Sequence, residues 1–255
     1  MTAAPATSGR PVAIVTGASR NIGRAIAVSL AQDGYFVACF ARNADDLRET
    51  VQLITQQGGA AAAFPGDAAN EDDLRNLVAG VVDSVGRIDV LVNNAGIIHD
   101  TPSKDLAPSE FRAVLEVNLV AYFALASASY PYLSRSPAAA IINIGSIFGS
   151  VGVASRVAYC ASKAGVEGLT RALATEWAAQ GIRVVCVAPG YVESDITKPL
   201  SVDPRLEKAV LRRIPQHRLA TPAEIGRFVS LMAGDAAAFL TGQTVIVDGG
   251  QLAAV

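Results

Sequence analysis

The 255-residue chain is 51% hydrophobic and only 17% charged, with 21 Lys and Arg against 23 Asp and Glu for a formal net charge of −2. A charged fraction below the ~25% of ordinary soluble domains, in a chain half hydrophobic, excludes intrinsic disorder, and the near-neutral balance excludes a basic nucleic-acid surface. Three cysteines without metal-ligand spacing and two histidines argue against a metal centre and fit a reduced, cytoplasmic compartment.

In chain order, Met1 to Arg10 is small and polar with no apolar signal core, and reads as a flexible leader before a single domain over 11–255. A first apolar run, Val12–Val15, leads into Thr16-Gly17-Ala18-Ser19-Arg20-Asn21-Ile22-Gly23 and then a helical pattern. A glycine-bearing turn between strand and helix lets backbone N–H groups and the helix dipole meet a phosphate. Gly17 supplies the tight turn and Gly23 the close packing of helix on sheet. Further apolar runs follow at Phe36–Phe40, Ala60–Phe64, Val90–Val92, Ala139–Ile144, Val184–Val187 and Thr244–Val247. Runs of this length suit strands covered on both faces. Between them lie helices with start signals, such as Asn70 before Glu71-Asp72-Asp73, and Thr221-Pro222-Ala223-Glu224 with capping-box spacing. The alternation predicts an α/β fold: a single-domain, Rossmann-like doubly wound parallel sheet of about seven strands with helices on both faces.

Two stretches need separate treatment. Arg42 follows the second strand in Ala41-Arg42-Asn43, where a carboxylate would bind the ribose hydroxyls of NAD and an arginine accommodates the 2′-phosphate of NADP. Arg20 in the turn and Arg42 together favour NADP(H), with NAD(H) as the alternative. Ser136 to Ser155 carries no formal charge over 20 residues, long enough to span a bilayer. Its Pro137, Asn143, four Ser and three Gly read instead as a buried strand and a polar loop, so no membrane span is expected.

Tyr159 and Lys163, four apart in a helical pattern, share a helix face. A phenol of pKa ~10 is a poor acid–base catalyst near neutrality, and a nearby ammonium lowers that pKa by stabilising the phenolate. Ser146, after the Ala139–Ile144 strand, is placed to hold a carbonyl oxygen. Taken singly, each of these is also compatible with an ordinary structural role.

Together, Thr16-Gly17…Gly23, Asn93-Asn94-Ala95-Gly96, Asn118, Ser146, Tyr159-Cys160-Ala161-Ser162-Lys163 and Pro189-Gly190 resemble the short-chain dehydrogenase/reductase family in order and spacing, from Pro11 to Val247-Asp248-Gly249-Gly250. The resemblance implies that Tyr159 exchanges a proton with a carbonyl or alcohol during hydride transfer at nicotinamide C4. It implies that Lys163 lowers the Tyr159 pKa and bonds the nicotinamide ribose, that Ser146 orients the substrate oxygen, and that Asn118 holds a relaying water. Gly17, Ser19, Arg20, Asn21 and Ile22 would form the phosphate turn. Asp67 and Ala68 would contact adenine, and Asn94, Ala95 and Gly96 the adenine-side ribose. Pro189, Gly190, Val192 and Ser194 would flank the carboxamide. Asn21 departs from the family's middle glycine; Asn tolerates φ > 0 and its side chain can bond locally, so Asn21→Gly is expected to change NADPH affinity by no more than about 1 kcal/mol.

The expected activity is an NADPH-dependent hydride transfer to a ketone, or from a secondary alcohol. Alternatives are a 3-oxoacyl-[acyl-carrier-protein] reductase, a sugar-acid or polyol dehydrogenase, and a non-enzymatic NADP-sensing protein. Gln180 and the Ser136-Pro137 turn lack basic residues that would grip an acidic carrier, which favours a free small molecule. A segment at about 191–218 is expected to cover the substrate. Arg156 is either an anion-binding group or a solvated loop arginine, His99 is a possible pocket residue, and Cys160 points away from Tyr159. The helix from Val157 is apolar on more than one stripe, which with the family resemblance implies a homotetramer, or a homodimer.

Overall fold

The computed structural model describes residues 9–198 and 202–254. Most of the expected leader, and three residues of the expected substrate-covering segment, lie outside them. Seven strands form one sheet in the order β3-β2-β1-β4-β5-β6-β7. These are β1 (Val12–Thr16), β2 (Phe36–Ala41), β3 (Ala60–Pro65), β4 (Val90–Asn93), β5 (Ala140–Ile144), β6 (Arg183–Pro189) and β7 (Thr244–Val247). Every neighbouring pair is parallel. The seven expected strands are all present.

The helices are α1 (Asn21–Gln32), α2 (Ala44–Gln56), α3 (Glu71–Val85), α4 (Pro108–Leu115), α5 (Ala121–Leu133), α6 (Val157–Trp177), α7 (Pro204–Leu211) and α8 (Pro222–Ala233). Strand side chains alternate between faces, which divides the core in two. Ala13, Val15, Val37, Cys39 and Val92 pack with α1, α2 and α8, whereas Val12, Ile14, Phe36, Ala38 and Leu91 pack with α3, α5 and α6. Gly226 of α8 lets that helix lie against α1, since a Cβ there would come within 2.5 Å of the Ala25 carbonyl oxygen. The expected caps form: the Asn70 side chain accepts from Asp72 N–H, and Thr221 and Glu224 make a reciprocal capping box.

The uncharged Ser136–Ser155 stretch is β5 followed by a loop with one turn of 3-10 helix at Ile147–Gly149. Among the described residues, one helical run, Pro108–Leu133, has the length and apolarity of a membrane span. It packs its Leu125, Ala126 and Leu133 into the core beside α3 and leaves Val120 and Phe123 exposed.

The order reverses between β1 and β4: the chain leaves β1 toward β2 on one side, and β4 returns on the other. The loops diverge there and open a crevice at the strands' C-terminal ends.

Candidate active site

That crevice is a cleft of about 1240 Å³. At its centre the ends of β1 and β4 are stitched together. Thr16 Oγ1 accepts from the Asn94 and Ala95 N–H groups at 2.9 and 3.0 Å, and Asn94 Nδ2 donates to the Thr16 carbonyl at 2.9 Å. The stitching leaves no room for side chains in the turn. A Cβ at Gly17 would meet Asn94 Nδ2 at 2.7 Å, and one at Gly23 would meet the Gly17 carbonyl oxygen at 2.0 Å.

The turn's polarity is fixed from behind. Arg24 donates to the Ser19 carbonyl, and Thr50 Oγ1 donates to the Ala18 carbonyl at 3.0 Å. These bonds draw the carbonyls toward α2. The first turn of α1 has no side-chain cap and no acidic residue, so its N–H groups and positive dipole end are free for an anion. A phosphate-bearing group therefore fits this cradle.

Asn21 takes the left-handed conformation, φ 48°, that its place in the turn demands. Its side chain does not bond locally, contrary to expectation: Nδ2 donates to Asp195 Oδ2 at 3.0 Å, across 174 residues of sequence. Arg20 pairs with the same oxygen at 3.2 Å, and Lys198 with the other. Asp195 thus ties the start of the segment after β6 to the glycine turn, and these partners hold its carboxyl below the usual range.

Arg42 and Asp67 flank the cleft's far end, after β2 and β3. The exposed Arg42 follows directly on β2, and the neighbouring Asn43 caps α2. Asp67 Oδ1 accepts from Ala69 N–H at 3.0 Å. A Cβ on Gly190 would come within 2.8 Å of Asp248, so Pro189-Gly190 passes tightly against the C-terminal strand's exit.

At the other end, Ser146 follows β5 and Tyr159 stands in the first turn of α6. Ser146 Oγ accepts from Phe148 N–H at 3.2 Å. Lys163, one helical turn on, is 3% exposed. Its Nζ donates to the Ile144 carbonyl at 2.7 Å and to Tyr122 Oη at 3.4 Å, and lies 5.7 Å from the Tyr159 ring centroid. Burial lowers the Lys163 ammonium to about 8. Burial also raises the Tyr159 phenol, against the opposing pull of Ser146 and of the Arg156 charge. Both effects disfavour the ionic form of a desolvated group.

Of the residues singled out from sequence, Gly17, Ser19, Arg20, Asn21, Ile22, Arg42, Asp67, Ala68, Asn94, Ala95, Gly96, Ser146, Tyr159, Lys163, Pro189, Gly190, Val192 and Ser194 all line this one cleft. Asn118 does not. It sits fully buried in a π-helical turn, Glu116–Val120, between α4 and α5. Its amide is committed to Ile97 N–H, the Ile97 carbonyl and Ser162 Oγ, so the side chain anchors the loop after β4 to α6. His99 and Cys160 are not among the lining residues. Arg24, Thr50, Asp100 and Asp195 escaped the sequence reading, because each acts through partners distant in the chain.

Comparison with known proteins agrees with this arrangement. A family model described as enoyl-(acyl carrier protein) reductase matches residues 17–251. A 3-oxoacyl-[acyl-carrier-protein] reductase of Staphylococcus epidermidis is 40% identical over 239 residues, 93% of this chain and 97% of the relative. A Sinorhizobium meliloti structure, provisionally named a short-chain alcohol dehydrogenase, superposes with TM-score 0.92 at 39% identity, covering 97% of this chain and 98% of that one. A Beutenbergia cavernae structure, provisionally named an NAD(P)-dependent gluconate 5-dehydrogenase and holding NADP at low occupancy, gives TM-score 0.91 at 39% identity, covering 96% and 98%.

Proposed function

The chain belongs to the short-chain dehydrogenase/reductase family of NAD(P)-dependent oxidoreductases acting on CH–OH groups, and from that premise we propose that it interconverts a ketone and a secondary alcohol with Tyr159 as proton donor and acceptor. The observation that carries this reading is the convergence of Ser146, Tyr159 and Lys163 at the same end of a cleft whose other end is a phosphate cradle. The dinucleotide, when bound, supplies or accepts the hydride. Gly17, Ser19, Arg20, Asn21 and Ile22 would hold its pyrophosphate, Asp67, Ala68, Asn94, Ala95 and Gly96 its adenosine, and Pro189, Gly190, Val192 and Ser194 its carboxamide.

In the reductive direction Ser146 Oγ and the Tyr159 hydroxyl bind the substrate oxygen, and Tyr159 gives up its proton as that oxygen becomes an alkoxide. The phenolate left behind is stabilised by the Lys163 ammonium one turn away. Burial favours the neutral Tyr159 phenol, the form that reduction needs, and works against the Lys163 charge, although a pKa of about 8 leaves the ammonium mostly protonated near neutrality. Asn118 acts as a positioning residue through Ile97 and Ser162.

NADP(H) is the preferred cofactor in this reading: Arg42 directly follows β2, and the first carboxylate comes only at Asp45. The physiological unit is a homotetramer in a cytoplasmic setting. Support comes from exposed apolar side chains on two separate faces, Val120, Phe123 and Val157 beside α5 and α6, and Phe239 and Ile246 at the β7 edge. The three cysteines are free. Reduction of a carrier-bound 3-oxoacyl thioester is the second reading, favoured by the curated relative; the substrate is a free small molecule in the first.

The test is NADPH oxidation against β-keto thioesters, diketones and keto-sugars, with Tyr159→Phe as control. Turnover that falls by about 10²-fold or more with NADPH binding retained supports the assignment; full turnover in Tyr159→Phe refutes it.

A further inference from the structure

Arg156, three residues before Tyr159 in the chain, faces Asp100 as an ion pair on the wall of the cleft. The Arg156 guanidinium lines the cleft immediately before α6, with 21% of its side chain exposed, and is held by both carboxylate oxygens of Asp100. The loops carrying the pair are also joined through the backbone, Thr101 N–H donating to the Ser155 carbonyl at 2.9 Å. Arg156 is therefore neither a solvated loop arginine nor an open anion site: its guanidinium is already paired with a carboxylate of the same chain, one whose own side chain is 60% exposed.

The same cleft wall carries apolar groups. Phe148 and Tyr191 meet edge to face with centroids 5.9 Å apart, and Val153, Leu206 and Val210 continue the surface. Leu206 is 44% exposed, an uncovered large aliphatic on the segment expected to cover substrate. A substrate carboxylate entering here would lose its hydration against apolar walls, find the guanidinium occupied, and meet the Asp100 carboxylate.

Resting on the ketone-reductase reading above, we infer that the Asp100–Arg156 pair makes this site selective for carbonyl substrates whose flanks are uncharged and apolar, and that it rejects keto acids. Asp100 is the specificity-determining residue, because it both cancels Arg156 and repels an incoming anion.

A matched pair of ketones tests this: 4-oxopentanoate and its ethyl ester, assayed with NADPH for wild type, Asp100→Asn and the Asp100→Asn/Arg156→Gln double variant. Wild type is expected to favour the ester in kcat/KM by about tenfold or more, the discrimination typical of one charge-assisted contact. Asp100→Asn frees the guanidinium and should shrink that preference about tenfold or more through a lower KM for the acid. The double variant should lose that gain. Equal or better use of the acid by wild type overturns the inference, and so does an ester preference that Asp100→Asn leaves unchanged. If a variant fails to fold, the wild-type ratio alone decides. Turnover of both ketones, abolished in Tyr159→Phe but without discrimination, refutes this selectivity and spares the ketone-reductase reading. Failure to reduce either ketone or any thioester, diketone or keto-sugar refutes both.

Discussion

Lys163 is a charge placed where the fold would be more stable without one, and Lys163→Met should show it. The ammonium is 3% exposed and has no carboxylate partner among the described residues, only the Ile144 carbonyl and the Tyr122 hydroxyl. Its displacement from 10.5 to about 8 corresponds to about 3 kcal/mol, at ~1.36 kcal/mol per pKa unit, by which the charged form is disfavoured in the folded state at pH 7. Methionine matches the stem and removes the charge, while leaving the Ile144 carbonyl without its donor at a cost of about 1–2 kcal/mol. The net expectation is a stabilisation of about 1–2 kcal/mol at pH 7, or roughly 2–6 °C in Tm. The sign with pH follows from proton binding. Between about 8 and 10.5 the unfolded lysine stays protonated while the folded one releases its proton, so wild-type stability gains with rising pH in that window. Lys163→Met lacks that contribution, and its advantage should shrink by about 2–3 kcal/mol between pH 7 and pH 10. Urea unfolding of both proteins at the two pH values measures this, other titrations cancelling in the difference. A variant less stable at pH 7, with a gap that does not move with pH, would mean the ammonium is compensated by more than the Ile144 carbonyl and the Tyr122 hydroxyl. The same variant should lose about 10²-fold or more in kcat, which separates the residue's function from its contribution to stability.

Two other perturbations probe the cofactor end. Arg42→Asp should invert the preference from NADPH toward NADH, by repelling a 2′-phosphate and accepting from ribose hydroxyls; fluorescence titration with both nucleotides measures it, and an unchanged ratio removes Arg42 from the 2′-phosphate site. Asp195→Ala should raise the NADPH Kd by about three- to tenfold, because the turn loses its tie to the segment after β6, whereas Asn21→Gly should stay within about 1 kcal/mol by retaining the Arg20–Asp195 pair. Equal losses in both variants would assign the tie to Asn21 alone.

The strand–helix alternation, the glycine turn and the Ser146, Tyr159 and Lys163 spacing were legible because each is a short-range pattern. Short continuous apolar runs favour strands, of which the central ones are buried while Ile246 of the edge strand β7 stays exposed, and two residues four apart on a helix share a face. Asn118 was legible as a position but not as a side chain, since its bonds go to Ile97 and Ser162. The uncharged Ser136–Ser155 stretch is the strand and loop expected of it, whereas the apolar helical run Pro108–Leu133 escaped notice because it depends on backbone continuity through a π turn.

The low charge fraction, the Arg42 in place of an acid and the Tyr–Lys pair were therefore determined by the sequence itself. Only the tertiary structure decided what the remaining charges do. It turned Asn21 from a conformational substitute for glycine into a tether to Asp195, and Arg156 from a choice between anion site and solvated loop into half of a closed pair with Asp100. The physical reason is the same in each case: a charge is defined by its partner, and the chain brings these partners together only when β4, β5 and β6 present their C-terminal loops to one cleft.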